Sequence, residues 1–567
     1  GRGAKWQFWI DRGGTFTDVV AYRKAREEGN AGSGGMLTTL KLLSENPDQY
    51  DDAALQAIRQ VLDVPAGAAI PSDCIESVKM GTTVATNALL ERKGEPTVLV
   101  VTKGFRDVLE IGYQNRPRIF DYNIRLHEVL YDRVIEARER VDVHGTVVEA
   151  LDAERVRRDL SDAFAAGFRS VAVVLLHGYK FPEHEDAIGG IAKEVGFSQV
   201  STSHSTAPLI KIVGRGDTTV VDAYLSPILK RYVDKVAGEL KNVDLQFMQS
   251  NGGLTDAHLF RGKDAILSGP AGGIVASVKT ATAAGHEKLL TFDMGGTSTD
   301  VAHYDGAYER TYESIVAGVR VRAPMMQIHT VASGGGSICS FDGLRYRVGP
   351  ESAGANPGPA AYRKGGPLTI TDCNVMTGKL QPGHFPHVFG PAQDQPLDKG
   401  IVVEKFMHLS AEIEGKLGDV RAPEAVAEGF LKVAVDQMAN AIKKISIQRG
   451  YDVTEYTLFC FGGAGGQHAC LVADTLGVNR IYIHPLSGVL SAYGMGLADV
   501  IALRERTVEK ALSAENFSDI ILELDTLAKE ATAAITSQAT RESNGCVSPD
   551  VIRKLLVRYA GTDTALP

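Results

Sequence analysis

The feature that most constrains the fold of this sequence is an acidic, glycine-rich motif that occurs twice. The first copy is Asp11–Val20 and the second is Asp293–Ala302. The copies are identical at seven of ten positions, namely Asp, Gly, Gly, Thr, Thr, Asp and Val. Because the copies lie far apart in the chain, they are not units of a solenoid. They indicate two domains of related fold, each of which offers the same hairpin to a shared cleft.

Each copy combines the groups that a metal–phosphate ligand needs. The aspartate that opens the motif, Asp11 or Asp293, follows a short apolar strand and can face a divalent cation. The glycines let the backbone approach an anion, and backbone N–H groups and threonine hydroxyls can hold phosphate oxygens. One copy alone could be an ordinary hairpin turn, whereas the pair favours phosphate binding. The predicted phosphate-binding residues are Gly13, Gly14, Thr15, Thr17, Gly295, Gly296 and Thr297.

A threonine-rich stretch is the next candidate for the cleft. Gly81–Gly94 predicts a turn that opens a helix, with Gly94 as the C-terminal cap of that helix. Thr82, Thr83 and Asn87 then lie near the start of the helix. Their side chains either line the cleft or only cap the helix, and both interpretations stay open.

Two further glycine-rich turns also expose backbone. One lies within Ala332–Ser337, and the other lies within Phe459–Ala469, between a strand and the start of a helix. The second turn offers a close-approach surface for a flat ligand such as adenine and ribose. We therefore predict that both turns bind the nucleotide. Their glycines are Gly334 and Gly335 in the first turn and Gly462 and Gly463 in the second.

A loop within Ile111–Asp121 has the composition of an anion-binding loop. It combines two arginines, an amide and two aromatic side chains. Arginine can bind a carboxylate or a phosphate through two parallel N–H groups. Arg116 and Arg118, together with Asn87, are therefore the candidate substrate-binding residues. A solvated surface loop could have the same composition, and this alternative stays open.

Composition narrows the class of function. The chain has 567 residues, enough for several domains, and its formal net charge of −9 argues against a nucleic-acid partner. No uninterrupted apolar run reaches the length of a membrane span. The six cysteines are scattered and form no C-x-x-C pair. We therefore expect reduced thiols in a cytoplasmic protein without a structural zinc site.

Helices and strands alternate along the chain, which indicates an α/β fold with a wound sheet. We predict a first lobe over residues 1–205, a second lobe over residues 206–500 and the start of a further region over residues 501–567. The helix predicted over Asp217–Ala237 contains Pro227, which should break or kink it. The chain stops within a predicted strand and turn, so we expect it to be a piece of a longer polypeptide.

Together these residues predict an ATP-using enzyme with a cleft between two domains. Asp11 and Asp293 would hold Mg²⁺ through water, and the glycine turns would hold the phosphates. We assign the catalytic roles to these two aspartates and to Thr82 and Thr83. Catalysis would then consist of positioning and of charge neutralisation at the transferring phosphoryl group.

The motifs also carry a family resemblance. The arrangement resembles the actin, sugar-kinase and heat-shock chaperone ATPase superfamily, whose α/β fold has two ribonuclease-H-like lobes around Mg-ATP. Within it the chain is similar to the hydantoinase A / 5-oxoprolinase family, and Lys41–Pro47 and Lys211–Gly216 look most like the ATP-dependent 5-oxoprolinase branch. One departure is Ala360–Tyr362, where the family usually has cysteine before the tyrosine. The matching stretches are Asp11–Asp18, Gly81–Gly94, Ser268–Gly273, Asp293–Asp300, Gly349–Tyr362, Thr371–Gly378 and Phe461–Ala469.

The resemblance implies ring opening of 5-oxo-L-proline to L-glutamate with hydrolysis of ATP, in which this portion of the protein phosphorylates the lactam oxygen. It implies ATP, Mg²⁺ or Mn²⁺, and K⁺ as cofactors. It also implies a homo-oligomer and a hydantoinase B-like half, fused or separate, that completes hydrolysis of the cyclic amide. The ATP-binding subunit of a hydantoinase, a caprolactamase or an acetone-type carboxylase would share these motifs, and a chaperone-like ATPase would share the lobes.

Overall fold

The two copies of the repeated motif lie at equivalent turns of two β-sheets. The computed structural model describes the chain apart from residues 1–3, 15, 25–34, 47–48, 66, 115–119, 121, 124–125, 392–393, 540–547, 563–564 and 566–567. The larger sheets of the described chain are built from β1 (Trp6–Arg12), β2 (Phe16–Arg23), β3 (Met36–Leu43), β4 (Ile75–Thr82), β5 (Thr97–Thr102), β6 (Arg133–Ala137), β7 (Ser170–Val174), β8 (Gln199–Thr202), β9 (Asp244–Met248), β10 (Leu254–Asp256), β11 (Lys288–Met294), β12 (Thr299–Asp305), β13 (His329–Val331), β14 (Thr457–Phe461) and β15 (Arg480–Tyr482).

Helices connect these strands and cover the sheets. In chain order they are α1 (Ala53–Val61), α2 (Val84–Leu90), α3 (Val108–Ile111), α4 (Ala153–Ala165), α5 (Glu183–Val195), α6 (Ser203–Thr206), α7 (Ile212–Glu239), α8 (Ser268–Ala283), α9 (Ile370–Met376), α10 (Lys399–Leu417), α11 (Pro423–Ile445), α12 (Ala469–Leu476), α13 (Leu490–Leu497) and α14 (Ala514–Ala539). Short two-stranded sheets pair Arg140–Val141 with Val147–Glu149, Arg310–Thr311 with Met325–Met326, Ser314–Val316 with Val319–Val321, and Ser337–Phe341 with Tyr346–Ser352. Within the described part of the chain, no helix combines the length and the apolarity that a bilayer span requires.

Both sheets that carry the motif have the strand order of a ribonuclease-H-like lobe. The first-lobe sheet has the order β10–β9–β4–β1–β2–β3, and the second-lobe sheet has the order β13–β12–β11–β14–β15. In the first-lobe sheet β1, β2 and β3 pair antiparallel, and β4 pairs with β1 in parallel. In the second-lobe sheet β11, β12 and β13 pair antiparallel, and β14 pairs with β11 in parallel. The predicted fold class, with two such lobes, is confirmed by this shared topology.

The first-lobe sheet includes strands from well beyond residue 205. Strand β9 pairs in parallel with β4, and β10 pairs antiparallel with β9. These two strands complete the edge of the sheet that carries the first motif. The hydrogen-bonded sheet therefore crosses the boundary predicted at residues 205 and 206, and the division into lobes at that point stays a prediction.

A parallel sheet is inserted in the sequence between β4 and β9. Its order is β8–β7–β5–β6, and its central strands β5 and β7 are buried along their whole length. The residues of β7 alternate between two hydrophobic clusters. Val171 and Val173 belong to the cluster that contains residues of α4 and α5, whereas Ala172 and Val174 belong to the one that contains residues of α7. Because the sheet is covered on both faces, its strands are continuously apolar.

Helix α7 is continuous, so the prediction that Pro227 breaks it is wrong, whereas the alternative, a kink, stays a prediction. Proline has no backbone N–H, which leaves the carbonyl group of Ala223 without its helical partner. The hydroxyl of Ser170, in β7, donates a hydrogen bond to that carbonyl oxygen at 2.6 Å. The neighbouring sheet thus supplies the missing donor, and the helix runs through the proline.

Helix α2 is shorter than the sequence predicts, and Gly94 does not cap it. The helix ends at Leu90, and Arg92 rather than a glycine adopts a left-handed conformation, with φ of 55°. The guanidinium group of Arg92 donates to the carbonyl oxygen of Leu89 at 2.8 Å. Gly94 is required for a different reason, since a Cβ at that position would overlap the ring of Tyr224.

Helices α8 and α13 cross closely between the two lobes. Ser268–Gly273 forms the first turns of α8. A Cβ on Gly272 would lie 2.9 Å from the carbonyl oxygen of Ser491, and a Cβ on Gly494 would overlap the carbonyl oxygen of Gly272. The buried cluster around this crossing also contains residues of both motif-bearing sheets, among them Trp9, Val20, Leu289, Phe459 and Phe461. The crossing therefore positions the two hairpins relative to each other.

Replacement of Gly494 by alanine should destabilise the protein, because the new Cβ has no space against the backbone of α8. Overpacking of this kind costs about 1–3 kcal/mol, and the midpoint of thermal unfolding should fall accordingly. The matched control is Gly190→Ala in α5, where nothing lies within 4 Å of the added Cβ. Alanine in that helix should be neutral or stabilise by about 0.5–1 kcal/mol. Equal midpoints for the two variants would contradict the close crossing.

Candidate active site

Each copy of the motif places two aspartates side by side on adjacent strands. The register pairs Asp11 of β1 with Asp18 of β2, and it pairs Asp293 of β11 with Asp300 of β12. Directly opposed residues of antiparallel strands have their side chains on the same face of the sheet. Each lobe therefore presents a pair of carboxylates at the base of its glycine turn.

The third strand of each sheet extends the pair into a row of three side chains. In the first lobe the register continues from Asp18 to Lys41 of β3, whose ammonium group forms an ion pair with the Asp18 carboxylate. In the second lobe it continues from Asp300 to Thr330 of β13, whose hydroxyl donates to Asp300 Oδ1 at 2.6 Å. We call Asp11, Asp18 and Lys41 the lysine row, and Asp293, Asp300 and Thr330 the threonine row. The lysine row carries a positive charge that the threonine row lacks.

The two rows act on each other electrostatically. Burial has the largest effect on the pKa of Asp11, and the charge of Asp18 adds to it. Together they raise this pKa to about 7, although the charge of Lys41 lowers it. Burial also raises the pKa of Asp293 well above its usual range, and the charges of Asp300 and Asp11 raise it further. The charge of Asp11 in the first hairpin is therefore among those that act on Asp293 in the second.

The two leading carboxylates fit a hydrated divalent cation. Oδ1 of Asp11 is buried and has no hydrogen-bond partner. Glycines enclose this oxygen, since a Cβ on Gly81 or Gly269 would come within 3.1 or 2.9 Å of it. Within the ranges that the structure describes, no three His, Cys, Asp or Glu side chains are grouped closely enough to hold a metal. Asp11 and Asp293 would therefore share Mg²⁺ with water and phosphate oxygens, the ligands that this ion commonly keeps.

Of the predicted ligands in the first glycine turn, Gly14 is the exposed one. The N–H of Gly13 donates to a carbonyl oxygen within the turn at 3.1 Å. Thr17 is fully buried, and its hydroxyl hydrogen-bonds to the hydroxyl of Ser44, with 3.0 Å between the oxygens. Ser44 donates in turn to the carbonyl oxygen of Gly13 at 2.6 Å. Thr17 therefore holds the hairpin together instead of facing a phosphate, and Thr15 lies outside the described residues.

The second glycine turn repeats this pattern. The N–H of Gly295 donates within the turn to the carbonyl oxygen of Ser298 at 3.0 Å. Gly296 and Thr297 are exposed. Among the described residues predicted to bind phosphate in the two turns, Gly14, Gly296 and Thr297 are therefore the exposed ones.

The threonine-rich stretch reaches the first glycine turn from β4. Thr82 is fully buried, and its hydroxyl accepts a hydrogen bond from the first N–H of α2 at 3.2 Å, so it caps the helix. The hydroxyl of Thr83 donates to the carbonyl oxygen of Arg12 at 3.2 Å and accepts from Asn87 Nδ2 at 3.4 Å. Nδ2 of Asn87 also lies 4.0 Å from a Cβ built on Gly14. Thr83 and Asn87 therefore lie beside the first turn.

The turn that contains Gly334 and Gly335 supports the second hairpin. The N–H groups of Gly335 and Gly336 donate to the carbonyl oxygens of Gly295 and Gly296, at 3.0 and 2.6 Å respectively. A Cβ on Gly334 would meet the backbone of the same hairpin at 2.6 Å. These glycines let the backbone of their own turn pack on the backbone of the second glycine turn. Their described contacts therefore hold the second glycine turn in place.

Three supporting residues were not among the predicted site residues. Ser44 closes the first hairpin, and Gly269 makes room for the Asp11 carboxylate. Thr371 of α9 donates to the carbonyl oxygen of Gly335 twice, from its N–H at 2.7 Å and from its hydroxyl at 2.9 Å. The signal that could have found them is that each lies in a stretch similar to the 5-oxoprolinase family.

The last glycine turn follows β14, beside the second motif. The register pairs Asp293 with Phe461 at the end of β14. Gly462 has φ of 83°, and a Cβ there would overlap Oδ1 of Asp293, so the backbone requires glycine. Nothing lies within 4 Å of a Cβ built on Gly463. Gly463 therefore borders open space close to Asp293, where a nucleoside would fit.

Two family profiles match the chain. The profile of the hydantoinase/oxoprolinase N-terminal region matches residues 7–196, and the hydantoinase/oxoprolinase profile matches residues 215–504. The chain belongs to the hydantoinase/oxoprolinase family. The resemblance carried by the glycine-rich motifs is thereby confirmed.

The relatives of the chain include 5-oxoprolinases from plants and fungi. 5-Oxoprolinase 1 of Arabidopsis thaliana is 42% identical over 598 residues, and the 5-oxoprolinase of Saccharomyces cerevisiae is 42% identical over 601 residues. These alignments cover 99% and 98% of the chain but 46% of each relative, so the chain spans about half the length of these relatives. The caprolactamase subunit alpha of Pseudomonas jessenii is 31% identical, with 88% of the chain and 70% of the relative covered.

Solved structures share the architecture. The ATP-dependent caprolactamase from Pseudomonas jessenii is 28% identical with a TM-score of 0.80, and the alignment covers 99% of this chain and 80% of that one. Nucleotide-free acetone carboxylase is 23% identical with a TM-score of 0.71, over 95% of this chain and 77% of that one. The second likeness supports the fold alone, and both agree with the topology described above.

Asp11→Asn should stabilise the metal-free protein at high pH. The Asp11 pKa is about 7 in the folded chain, against an ordinary value of 3.8. The folded chain therefore binds this proton more tightly than the unfolded chain, so its stability falls as pH rises from 3.8 to about 7. Asparagine does not ionise and escapes this loss. With a chelator present, the gain in thermal midpoint should be larger at pH 8 than at pH 5, and an equal gain at both would contradict the assignment.

Gly463→Val should weaken nucleotide binding before it affects folding, because the added side chain enters open space beside Asp293. Calorimetry should show a lower ATP affinity at an unchanged thermal midpoint. Gly383→Val is the matched control, since a Cβ there also has nothing within 4 Å but lies outside the glycine turns of the site. Unchanged ATP affinity in Gly463→Val would remove this turn from the nucleotide site.

Proposed function

We propose that the chain is the ATP-binding portion of an ATP-dependent 5-oxoprolinase, which opens 5-oxo-L-proline to L-glutamate and forms ADP and phosphate. The observation that carries this proposal is the identity of 42% to 5-oxoprolinases over nearly the whole chain. The caprolactamase relative would favour a different cyclic amide as the substrate, but its identity of 31% is weaker support than the 42% to the 5-oxoprolinases. The paired carboxylates and exposed glycine turns support the proposal, because such an enzyme needs groups of this kind to bind a nucleotide.

In this proposal the lactam is activated before it is opened, because an unstrained amide is a poor electrophile. Its oxygen forms a bond to the terminal phosphorus of ATP while the bond between that phosphorus and the bridging oxygen breaks, and ADP leaves. Loss of the N–H proton gives a phosphorylated imidate whose ring nitrogen is uncharged. Water adds to its carbon and the C–N bond breaks, which frees the amine and leaves an acyl phosphate. A second water then attacks the acyl carbon and releases phosphate, which yields glutamate.

The residues of this chain contribute orientation and charge to the first step. Asp11 and Asp293 would hold Mg²⁺, which when bound neutralises charge on the phosphate groups. The backbone N–H groups of the exposed turns at Gly14 and Gly296 would cradle phosphate oxygens. Thr83, beside the first turn, is the remaining candidate for contact with the reacting groups. We assign the later, hydrolytic steps to the hydantoinase B-like half.

Several features of the complete protein stay predictions. They are the hydantoinase B-like half, fused or separate, a homo-oligomeric state, the use of K⁺ or Mn²⁺, and a cytoplasmic location. Asn87 is a candidate for substrate contact because it lies beside Gly14. Arg116 and Arg118, the candidates for binding the carboxylate of 5-oxoproline, lie outside the described residues.

The proposal is tested by ATP hydrolysis in the presence of 5-oxoproline, hydantoin, caprolactam or acetone. We expect residues 1–567 to release ADP most rapidly with 5-oxoproline, but to form stoichiometric glutamate only after the hydantoinase B-like half is added. ADP and glutamate are measured in the same samples. Stronger stimulation by another of these compounds would identify a different substrate, and stimulation by peptides alone would indicate a chaperone-like ATPase.

The same assay uses a variant that removes one metal-facing carboxylate. Asp293→Ala should abolish ADP release without unfolding the chain. Asp305→Ala changes an exposed aspartate at the opposite end of the β11–β12 hairpin, so it should retain activity. Full turnover by Asp293→Ala would rule out the proposed site.

A further inference from the structure

The lysine row and the threonine row occupy the same place in two sheets of the same topology. Both rows begin with two aspartates at matching positions of the repeated motif. They differ at the third strand, where the first lobe has Lys41 and the second has Thr330. Thr330 satisfies Asp300 with a neutral hydrogen bond. The pairing of an aspartate at this place therefore does not require a lysine, and the charge of Lys41 needs another explanation.

Lys41 lies where a charged ligand can reach it. Its side chain keeps 46% of its surface exposed although it is paired with Asp18. Its ammonium nitrogen lies 5.3 Å from the centre of the Phe16 ring. Phe16 begins β2, directly after the first glycine turn. The ammonium group is therefore at the mouth of the first turn, while its stem follows the sheet.

Lys41 also lies near the leading aspartate of its own row. Strand register places Lys41 beside Asp18, and Asp18 beside Asp11, on adjacent strands of one sheet. The positive group therefore belongs to the same row of side chains as the Asp11 carboxylate, at the first glycine turn. That is the region in which Asp11 and Asp293 would hold the metal and the phosphate chain.

The position of the nucleoside decides which phosphate meets the lysine. Gly463 follows β14, which neighbours β11 of the second lobe, so a nucleoside in that space lies on the side of the threonine row. The phosphate chain would then extend towards the first lobe. Its far end, which carries the terminal phosphate, reaches the lysine row.

We propose that the ammonium group of Lys41 binds the terminal phosphate of the nucleotide and, during transfer, stabilises the negative charge on the phosphoryl group. This inference rests on the proposed function, because it requires ATP in the cleft. Positive groups aimed at the transferring phosphoryl group are a general device for such reactions. In the free protein Asp18 holds the lysine beside the turn, and bound ATP draws the ammonium group towards the phosphate.

The test compares the affinities of two nucleotides for one variant. Lys41→Met should weaken binding of Mg-ATP about ten- to a hundredfold, the loss expected when a hydrogen bond to a charged group is removed. The affinity for Mg-ADP should change little, because ADP lacks the terminal phosphate. Calorimetry gives both affinities, and thermal unfolding checks the fold. Lys41→Arg should restore part of the preference for ATP, since it keeps the charge.

Lys288→Met is the matched control. Lys288 is also partly exposed, pairs with Glu455 at 2.6 Å and lies 5.6 Å from the ring centre of Tyr456. It begins β11, at the end of that strand opposite to Asp293. Its replacement removes a similar ion pair and a similar ring contact, and the ratio of ATP to ADP affinity should not change.

The same substitution in an Asp18→Asn chain shows whether Lys41 contacts the phosphate itself or only holds Asp18 in place. If Lys41 acts only by holding Asp18, then Lys41→Met should have no further effect on the affinity ratio in an Asp18→Asn chain. We expect the ratio to fall in that background as well. An equal loss of ATP and ADP affinity, or a loss that vanishes with Asp18→Asn, would overturn the proposal. A wild-type chain that binds neither nucleotide would instead overturn the proposed function.

Discussion

The structure depends on keeping carboxylates of like charge close together in a cleft. Burial of an ionised carboxylate is costly unless a cation or several hydrogen bonds compensate it. Asp11 nevertheless has an oxygen without a partner, and its charge acts on Asp293. The arrangement persists because strand register fixes each pair of aspartates and the α8–α13 crossing positions the two sheets. A bound cation would remove the repulsion, so ligand binding and stability are coupled at this point.

The glycine turns serve two purposes that look the same in the sequence. Gly334 and Gly462 are glycines because a Cβ would collide with the second hairpin or with Asp293. Gly296 and Gly463 have no atom near a Cβ, so the protein itself does not require glycine there. A residue of the first kind shapes the site, whereas one of the second kind leaves room for something that binds. The difference depends on neighbours that are distant in the chain.

The repeated motif was sufficient to predict the two-lobed fold, because matching strand–turn–strand patterns imply matching hairpins. It also predicts Asp11, Asp293 and the glycine turns as site residues, and that part stays a prediction. The role of Thr17 could not be predicted, since its partner Ser44 directly follows another strand, β3. The same reason explains Pro227, whose helix continues because Ser170 donates from a neighbouring sheet. The position of β9 and β10 in the first-lobe sheet could not be predicted either, because they pair with strands that are distant in the chain. Local patterns predicted elements, and tertiary partners decided their roles.

The order of strands in the first-lobe sheet has a consequence for synthesis of the protein. Strand β4 pairs with β1 early in the chain, but its other neighbour, β9, is Asp244–Met248. The whole inserted sheet is made between them. Domains fold from the N-terminus as they emerge from the ribosome, so the nascent first lobe carries an open edge until β9 appears. An open edge is a template for pairing with other chains. The inserted sheet, which completes before β9 is available, therefore sets how long the growing chain is exposed to aggregation.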